Sequence, residues 1–148
     1  MITFEAWIFF NMAKVTLDFE EDYDFDLIGI CSHVKDYRLV WELNQSLKFD
    51  FGRGENYELN LKGENQSHSF FEYNDDENAL QYSLINNKSD SGYLIPEEKN
   101  CDYLLVVKGC LLEGGKGELV KKIAQLKHVL TAYMVEVSNL RSKENLLF

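Results

Sequence analysis

The apolar positions along this chain switch between a period of two and a period near 3.6, so strands and helices share one sequence. Val15, Leu17 and Phe19 alternate within Lys14-Val15-Thr16-Leu17-Asp18-Phe19 and predict a half-buried strand. An acidic stretch covers residues 20–26. Residues 27–47 then carry a helical region whose second part is the clearer. There Val40, Leu43 and Leu47 fall at i, i+3, i+7, with Tyr37 and Trp41 flanking the stripe. Gly29 and Ser32 interrupt the region, which predicts two helical pieces, or a strand followed by a helix.

Three alternating runs follow: Tyr57, Leu59 and Leu61; Phe71 and Tyr73 within 68–74; and Leu80, Tyr82 and Leu84. The connections Lys62-Gly63-Glu64-Asn65 and Asn74-Asp75-Asp76-Glu77-Asn78 have hairpin chemistry, so an antiparallel meander is expected. Residues 86–92 read as a polar loop. Tyr93-Leu94-Ile95 leads into Pro96, which lacks the N–H a central strand needs, so the chain leaves the sheet there. The apolar run at 102–107 predicts a strand covered on both faces. A turn at Gly114-Gly115-Lys116-Gly117 precedes a helix over 118–128, with Leu119, Ile123, Leu126 and Leu130 on its stripe, and a strand over 130–137 closes the series. Strand, helix and strand form a β–α–β unit with the expected right-handed crossover. The run ELVKKIAQLKHVLTAYMVEV is similar to the second half of ferredoxin-like plaits, including the ACT-type regulatory domains. The predicted class is α+β: an antiparallel-rich sheet with helices packed on one face.

Composition narrows the setting. A chain of 148 residues suits one domain, and 10 Phe, 8 Tyr and 2 Trp supply a core without a disulfide or metal staple. The 25 acids against 15 bases give a net charge of −10, which disfavours nucleic acid and anionic membranes and leaves room for a basic protein partner. Cys31, Cys101 and Cys110 are odd in number and form no CxxC, so a reducing cytoplasm is expected, with each thiol a small buried group. The apolar stretch at 6–10 is too short for a signal peptide or a membrane span. Met12 resembles a second start. Residues 1–11 are therefore expected to be an extension, and 12–148 a single domain.

Tests of specific chemistry fail at named residues. A Walker loop ending at Lys116 would need glycine where Cys110 stands and a hydroxyl where Gly117 stands. A calcium loop starting at Asp22-Tyr23-Asp24-Phe25-Asp26 would need glycine at Leu27 and glutamate at His33. His33, His68 and His128 have no ligand spacing for zinc. Cys31 and His33, two residues apart, do not make a nucleophile and base. His128, placed near a helix C-terminus, balances the helix dipole. No cofactor or metal is expected. Among the carboxylates, Glu97 and Asp102 stand out because they flank Pro96, the single proline.

Residues 95–103 read Ile-Pro-Glu-Glu-Lys-Asn-Cys-Asp-Tyr. This resembles the signature of the IPExxxVDY family, a group of small uncharacterised proteins from Bacteroidota. Ile95, Pro96, Glu97, Asp102 and Tyr103 match, and Cys101 replaces the family valine. The likeness covers about residues 12–148 and takes in residues 27–30, Lys35-Asp36-Tyr37-Arg38-Leu39, Asn44 and the ending Ser142-Lys143-Glu144-Asn145-Leu146-Leu147-Phe148. It implies no activity and no catalytic residues.

The motif is also readable physically. Pro96 fixes φ and pushes Ile95 to extended geometry, Glu97 can accept backbone N–H bonds, and Asp102 and Tyr103 start the central strand. A rigid corner is the first expectation, and a partner-binding loop the second. The apolar tail is expected to dock on its own domain or on a partner. The functional expectation is a non-catalytic interaction or regulatory module, a homodimer. The alternative is an ACT-like sensor holding a metabolite near the 109–117 turn at a subunit interface. An enzyme would instead gather Glu97, Asp102, Tyr103 and Arg38 in a deep pocket.

Overall fold

The computed structural model describes residues 25–61, 63–109 and 113–148. The strand expected at 14–19, the extension at 1–11, the start of the acidic stretch and Cys110 lie outside them. The elements run β1 (Asp26–Cys31), α1 (Asp36–Leu47), β2 (Gly52–Arg53), β3 (Tyr57–Leu61), β4 (Glu64–His68), β5 (Phe70–Asp75), β6 (Leu80–Asn86), β7 (Lys88–Ser89), β8 (Gly92–Tyr93), β9 (Tyr103–Lys108), α2 (Glu113–Ala124) and β10 (Thr131–Val135). Short 3-10 turns occupy Pro96–Glu98, Val137–Asn139 and Lys143–Leu146.

The main sheet has the order β10-β1-β9-β6-β5-β2, and every neighbouring pair is antiparallel. The class is α+β, as the alternation of periods predicts. β9 and β10 both run antiparallel to β1, which lies between them, so they are parallel to each other and joined through α2. The β–α–β unit is thus split by β1. The order β10-β1-β9-β6 with its two helices is compatible with a ferredoxin-like plait.

Period-two alternation gives the sheet two apolar faces. Ile28, Ile30, Tyr103, Leu105 and Val107 point to the side where α1 buries Leu39, Val40 and Leu43 and α2 buries Leu119 and Ile123. Leu27, Cys31, Leu104 and Val106 point to the other side, which the chain covers with Leu94, Ile95, Val137, Leu140 and Leu146. β9 is buried over both faces, as its unbroken apolar run predicts.

Of the two readings of residues 27–47, the strand-then-helix alternative holds, β1 and then α1, while other expectations need correction. Gly29 sits mid-strand because the Cys101 sulfur lies where its side chain would begin, so any Cβ there would overlap it. The meander is two hairpins in different sheets, since β3 pairs only with β4, and β5 pairs with β6 in the main sheet. The chain breaks at Ser69, so the single strand read over 68–74 becomes β4 and β5. The glycine-rich turn at 114–117 is the beginning of α2, because burying Leu119 and Ile123 outweighs the weak helix propensity of glycine. α2 then stops at Ala124, which puts His128 in the following turn, not on the helix.

That turn is held by a buried carboxylate. Glu42 of α1 is 6% exposed, and its oxygens accept the main-chain N–H groups of Lys127 at 2.8 Å and His128 at 3.2 Å. His128 Nδ1 stands 3.2 Å from the same carboxylate. The carboxy-terminal segment docks on its own domain. Leu146 is wholly buried, Phe148 meets the rings of Tyr57 and Phe70, and Lys108 Nζ donates to a Phe148 main-chain oxygen at 2.6 Å.

Leu146→Ala is expected to lower stability by about 2–5 kcal/mol, the usual range for truncating a fully buried leucine. Leu147→Ala, at a residue 36% exposed, should change it by less than about 1 kcal/mol. Urea unfolding of both variants checks the pair.

Candidate functional site: the 95–103 corner and the cleft beside it

The corner starts from proline geometry. Ile95 is extended at φ −122°, ψ 92°, and Pro96 opens the 3-10 turn that follows. Glu98 N–H donates to Ile95 O at 3.0 Å and Cys101 N–H to Glu98 O at 3.0 Å, which coils residues 95–101 tightly. Such a coil leaves several carbonyls and one N–H facing inward without a ladder partner. A buried group must meet them.

Asn87 does so. It is fully buried, in the stretch read as a polar loop, where β7 and β8 in fact form a small hairpin. Its side-chain Nδ2 donates to Glu98 O and Cys101 O, each at 2.9 Å, and its Oδ1 accepts Ile95 N–H at 2.8 Å. Two carbonyls on one side and an N–H on the other fix which end of the amide faces which. Its main chain adds two more bonds: Asn87 N–H to Asp102 O at 2.9 Å, and Leu94 N–H to Asn87 O at 2.7 Å. One side chain therefore fastens both ends of the corner.

The polar motif residues reach from this anchor to two other parts of the chain: Glu97 to the carboxy-terminal segment, and Asp102 and Tyr103 to the connection between β1 and α1. Ile95 is buried in the core face away from the helices. Pro96 and Glu97 are exposed. The Glu97 carboxylate accepts Ser142 N–H at 2.7 Å and Ser142 Oγ–H at 2.8 Å, tying down the carboxy-terminal segment. Partial burial works to raise its pKa, but the Ser142 bonds and neighbouring N–H groups prevail and hold it below the usual value. Asp102 Oδ2 accepts Ser32 N–H at 2.8 Å, and Asp102 N–H donates to Ile30 O at 3.0 Å. Tyr103 is buried, and its hydroxyl donates to Val34 O at 2.6 Å. Burial, and then the charges of Asp36 and Asp102, raise that phenol well above its ordinary pKa.

A second polar cluster lies beneath the corner. Tyr133 of β10 donates its hydroxyl to Glu98 Oε1 at 2.8 Å, and Cys101 Sγ sits 2.9 Å from the same hydroxyl. Cys31 Sγ–H donates to Asn100 O at 2.9 Å. Burial pushes the Cys101 thiol up to about 12, and burial followed by the Asp102 charge raises Cys31. Both sulfurs are therefore neutral thiols at neutral pH and poor nucleophiles. Cys31 faces the core, whereas His33 is exposed.

An open cleft of about 730 Å³ lies beside the corner, lined by Ser32, His33, Lys35, Lys88, Asp102 and Tyr103 among others. Its lining brings Lys35 and Asp36, from the entry to α1, together with Asp102 and Tyr103, from the start of β9. Glu97 and Arg38 are not part of its lining. Glu97 is bound to Ser142, and Arg38 stands exposed on α1. The four residues an enzyme would need to gather are not gathered in this cleft. A larger groove of about 1150 Å³ runs between α1, α2 and β6, with Phe49, Leu80, Tyr82, Leu119 and Leu126 as its apolar floor. Among the described residues, no group of three or more His, Cys, Asp or Glu side chains could hold a metal ion. No described helix is long and apolar enough to cross a membrane.

Asn87 had no local signal, because it stands in a polar stretch and its partners lie 7–15 residues downstream. The only trace is that a coil at Pro96 needs an inward donor from somewhere. No family model matches the chain, and no curated protein or solved structure compared with it is a match.

Asn87→Ala leaves Cys101 O and Ile95 N–H unmet and takes one of two bonds from Glu98 O, and should cost about 2–5 kcal/mol, by summing penalties of buried unsatisfied groups. Asn87→Asp should cost at least as much, because it sets acceptor against acceptor. Chemical denaturation of both variants checks this. A pH dependence follows from His68, which is buried and whose Nδ1 lies 2.7 Å from Asn86 O, beside the anchor. Burial lowers its pKa against opposing contributions from Asn86 and Glu58. The unfolded chain therefore takes up the proton first. His68's contribution is complete above the ordinary histidine value near 6.5 and is lost as pH falls below it toward the depressed folded value. Stability measured from pH 7.5 to 5 should fall, and His68→Gln should flatten the fall.

Proposed function

We propose that this chain is a non-catalytic protein-interaction module that works as a homodimer, and we place it with the IPExxxVDY group on the strength of residues 95–103. The observation that carries this reading is where the motif's polar groups go. Glu97, Asp102 and Tyr103 each bond to another loop of the same chain, and Asn87 fills the turn between them. Groups spent on internal hydrogen bonds are not poised to take or give protons to a substrate. The motif then builds a rigid platform, and the exposed surface carries recognition.

The dimer is supported by β10. Among the described residues it pairs with β1 alone, and beside it Leu130 is 63% exposed and Met134 40% exposed. An outer strand with apolar residues at its margin favours antiparallel pairing across a two-fold axis. The acidic turn between β5 and β6, with Asp75, Asp76 and Glu77, suits a basic protein partner. Cys31 and Cys101 are free, which fits a reducing cytoplasm.

The second reading, a metabolite sensor, is favoured by the groove between the helices, which reaches Gly115 and carries Lys122 and Lys127 at its rim. Two measurements separate the readings. Light scattering over a concentration series should show a dimer, and Met134→Glu should weaken it at least tenfold; a strict monomer at high concentration sinks the dimer. Amino acids and nucleotides at millimolar levels should leave the melting temperature unchanged. A shift that Lys122→Ala abolishes would favour the sensor.

A further inference from the structure

We propose that the outer face of α1, together with the cleft at its amino-terminal end, is a docking surface for an acidic peptide segment of a partner protein. The inference rests on the interaction-module reading and names the chemistry of one partner.

Two large aromatic side chains stand exposed at i, i+4 on one helix: Tyr37 at 64% and Trp41 at 61%. α1 already buries Leu39, Val40 and Leu43 against the sheet, and among the described residues these two rings join neither core cluster. Arg38 is exposed between them. Tryptophan, tyrosine and arginine are the side chains that dominate binding energy at protein interfaces, because they bury large areas at small entropic cost. Lys35 lies one turn before Arg38, and Trp41 one turn after it, so the three span about 9 Å along the helix. The cleft continues this surface, with Lys35, His33 and Lys88 on its walls.

The charge decides the partner. The chain carries −10 overall, yet the exposed Lys35 and Lys88 both line this cleft, and the exposed Arg38 follows Lys35 by one turn of α1. The acids beside them are occupied: Asp36 meets Arg53 at 3.7 Å and accepts Tyr37 N–H at 2.6 Å, and Asp102 accepts Ser32 N–H. Among the described residues, Lys35, Arg38 and Lys88 have no carboxylate partner. A cationic strip bearing aromatic rings is complementary to carboxylates interspersed with apolar side chains. A second copy of this chain fits less well, because a two-fold contact on this face would set cation against cation. Nucleic acid fits less well too. Its continuous phosphates would run past Asp36, Asp102 and a strongly acidic remainder, whereas a peptide places its carboxylates only where cations stand.

The test uses the full chain and three labelled probes followed by fluorescence anisotropy: a short peptide of Glu and Asp with Leu and Phe interspersed, the same peptide with Lys for each acid, and oligothymidylate. The acidic peptide should bind, and its affinity should fall as salt is raised. Trp41→Ala and Arg38→Glu should each weaken it roughly tenfold or more while melting as the parent does, since both residues are exposed. The inference is overturned if the acidic peptide fails to bind at millimolar concentration, if the lysine peptide or the oligonucleotide binds better, or if both variants bind like the parent. Those failures leave the dimer and ligand measurements, which test the module reading, untouched.

Discussion

The buried amide of Asn87 is the interaction on which the rest of this structure depends. A coil that begins at a proline and must join a central strand turns main-chain groups into an apolar interior. Asn87 meets three of them with its side chain and two more with its main chain. With that anchor in place, Asp102 and Tyr103 enter β9 at a fixed position and can grip the connection between β1 and α1. The same corner presents Glu97 to the carboxy-terminal segment, which in turn buries Leu146 against the sheet. Loss of one amide would thus loosen three loops that are far apart in sequence.

This arrangement explains why a motif rich in ionisable side chains makes a rigid platform. Carboxylates and a phenol become catalytic when burial or a neighbouring charge poises them near an open substrate site. Here the perturbed groups are directed inward. Tyr103 and Tyr133 are held neutral by burial, Cys101 remains a thiol, and Glu97 is kept ionised by donors from Ser142. Facing solvent on the first half of α1 are two aromatic rings, Tyr37 and Trp41, and the cation Arg38, in a chain whose balance is acidic.

Much of the fold was legible because it is written locally. Alternation marked β3 and β6, and the unbroken apolar run marked β9 as buried on both faces. The stripe through Val40, Leu43 and Leu47 marked α1, and Pro96 marked the corner. The misreadings share one cause, partners distant in sequence. Gly29 left strand and helix both open before α1, because its role, admitting the sulfur of Cys101, has no local mark. The glycines before Lys116 and Gly117 looked like a turn, but burial of Leu119 and Ile123 draws them into α2. Asn87 looked like a loop residue, since nothing within 86–92 reveals that residues 95–101 fold back over it. At the site, Asp102 and Tyr103 share one cleft while Glu97 and Arg38 stand outside it, and the anchor behind the corner had no local mark in the sequence.

Native-state hydrogen exchange at the corner tests the central claim most directly. The N–H groups of Leu94, Ile95 and Asp102 donate to Asn87 O, Asn87 Oδ1 and Ile30 O. If the amide anchors the fold, these three should exchange only with free energies close to that of global unfolding, as β9 amides do. Exchange at rates typical of an open surface loop, while β9 stays protected, would contradict it.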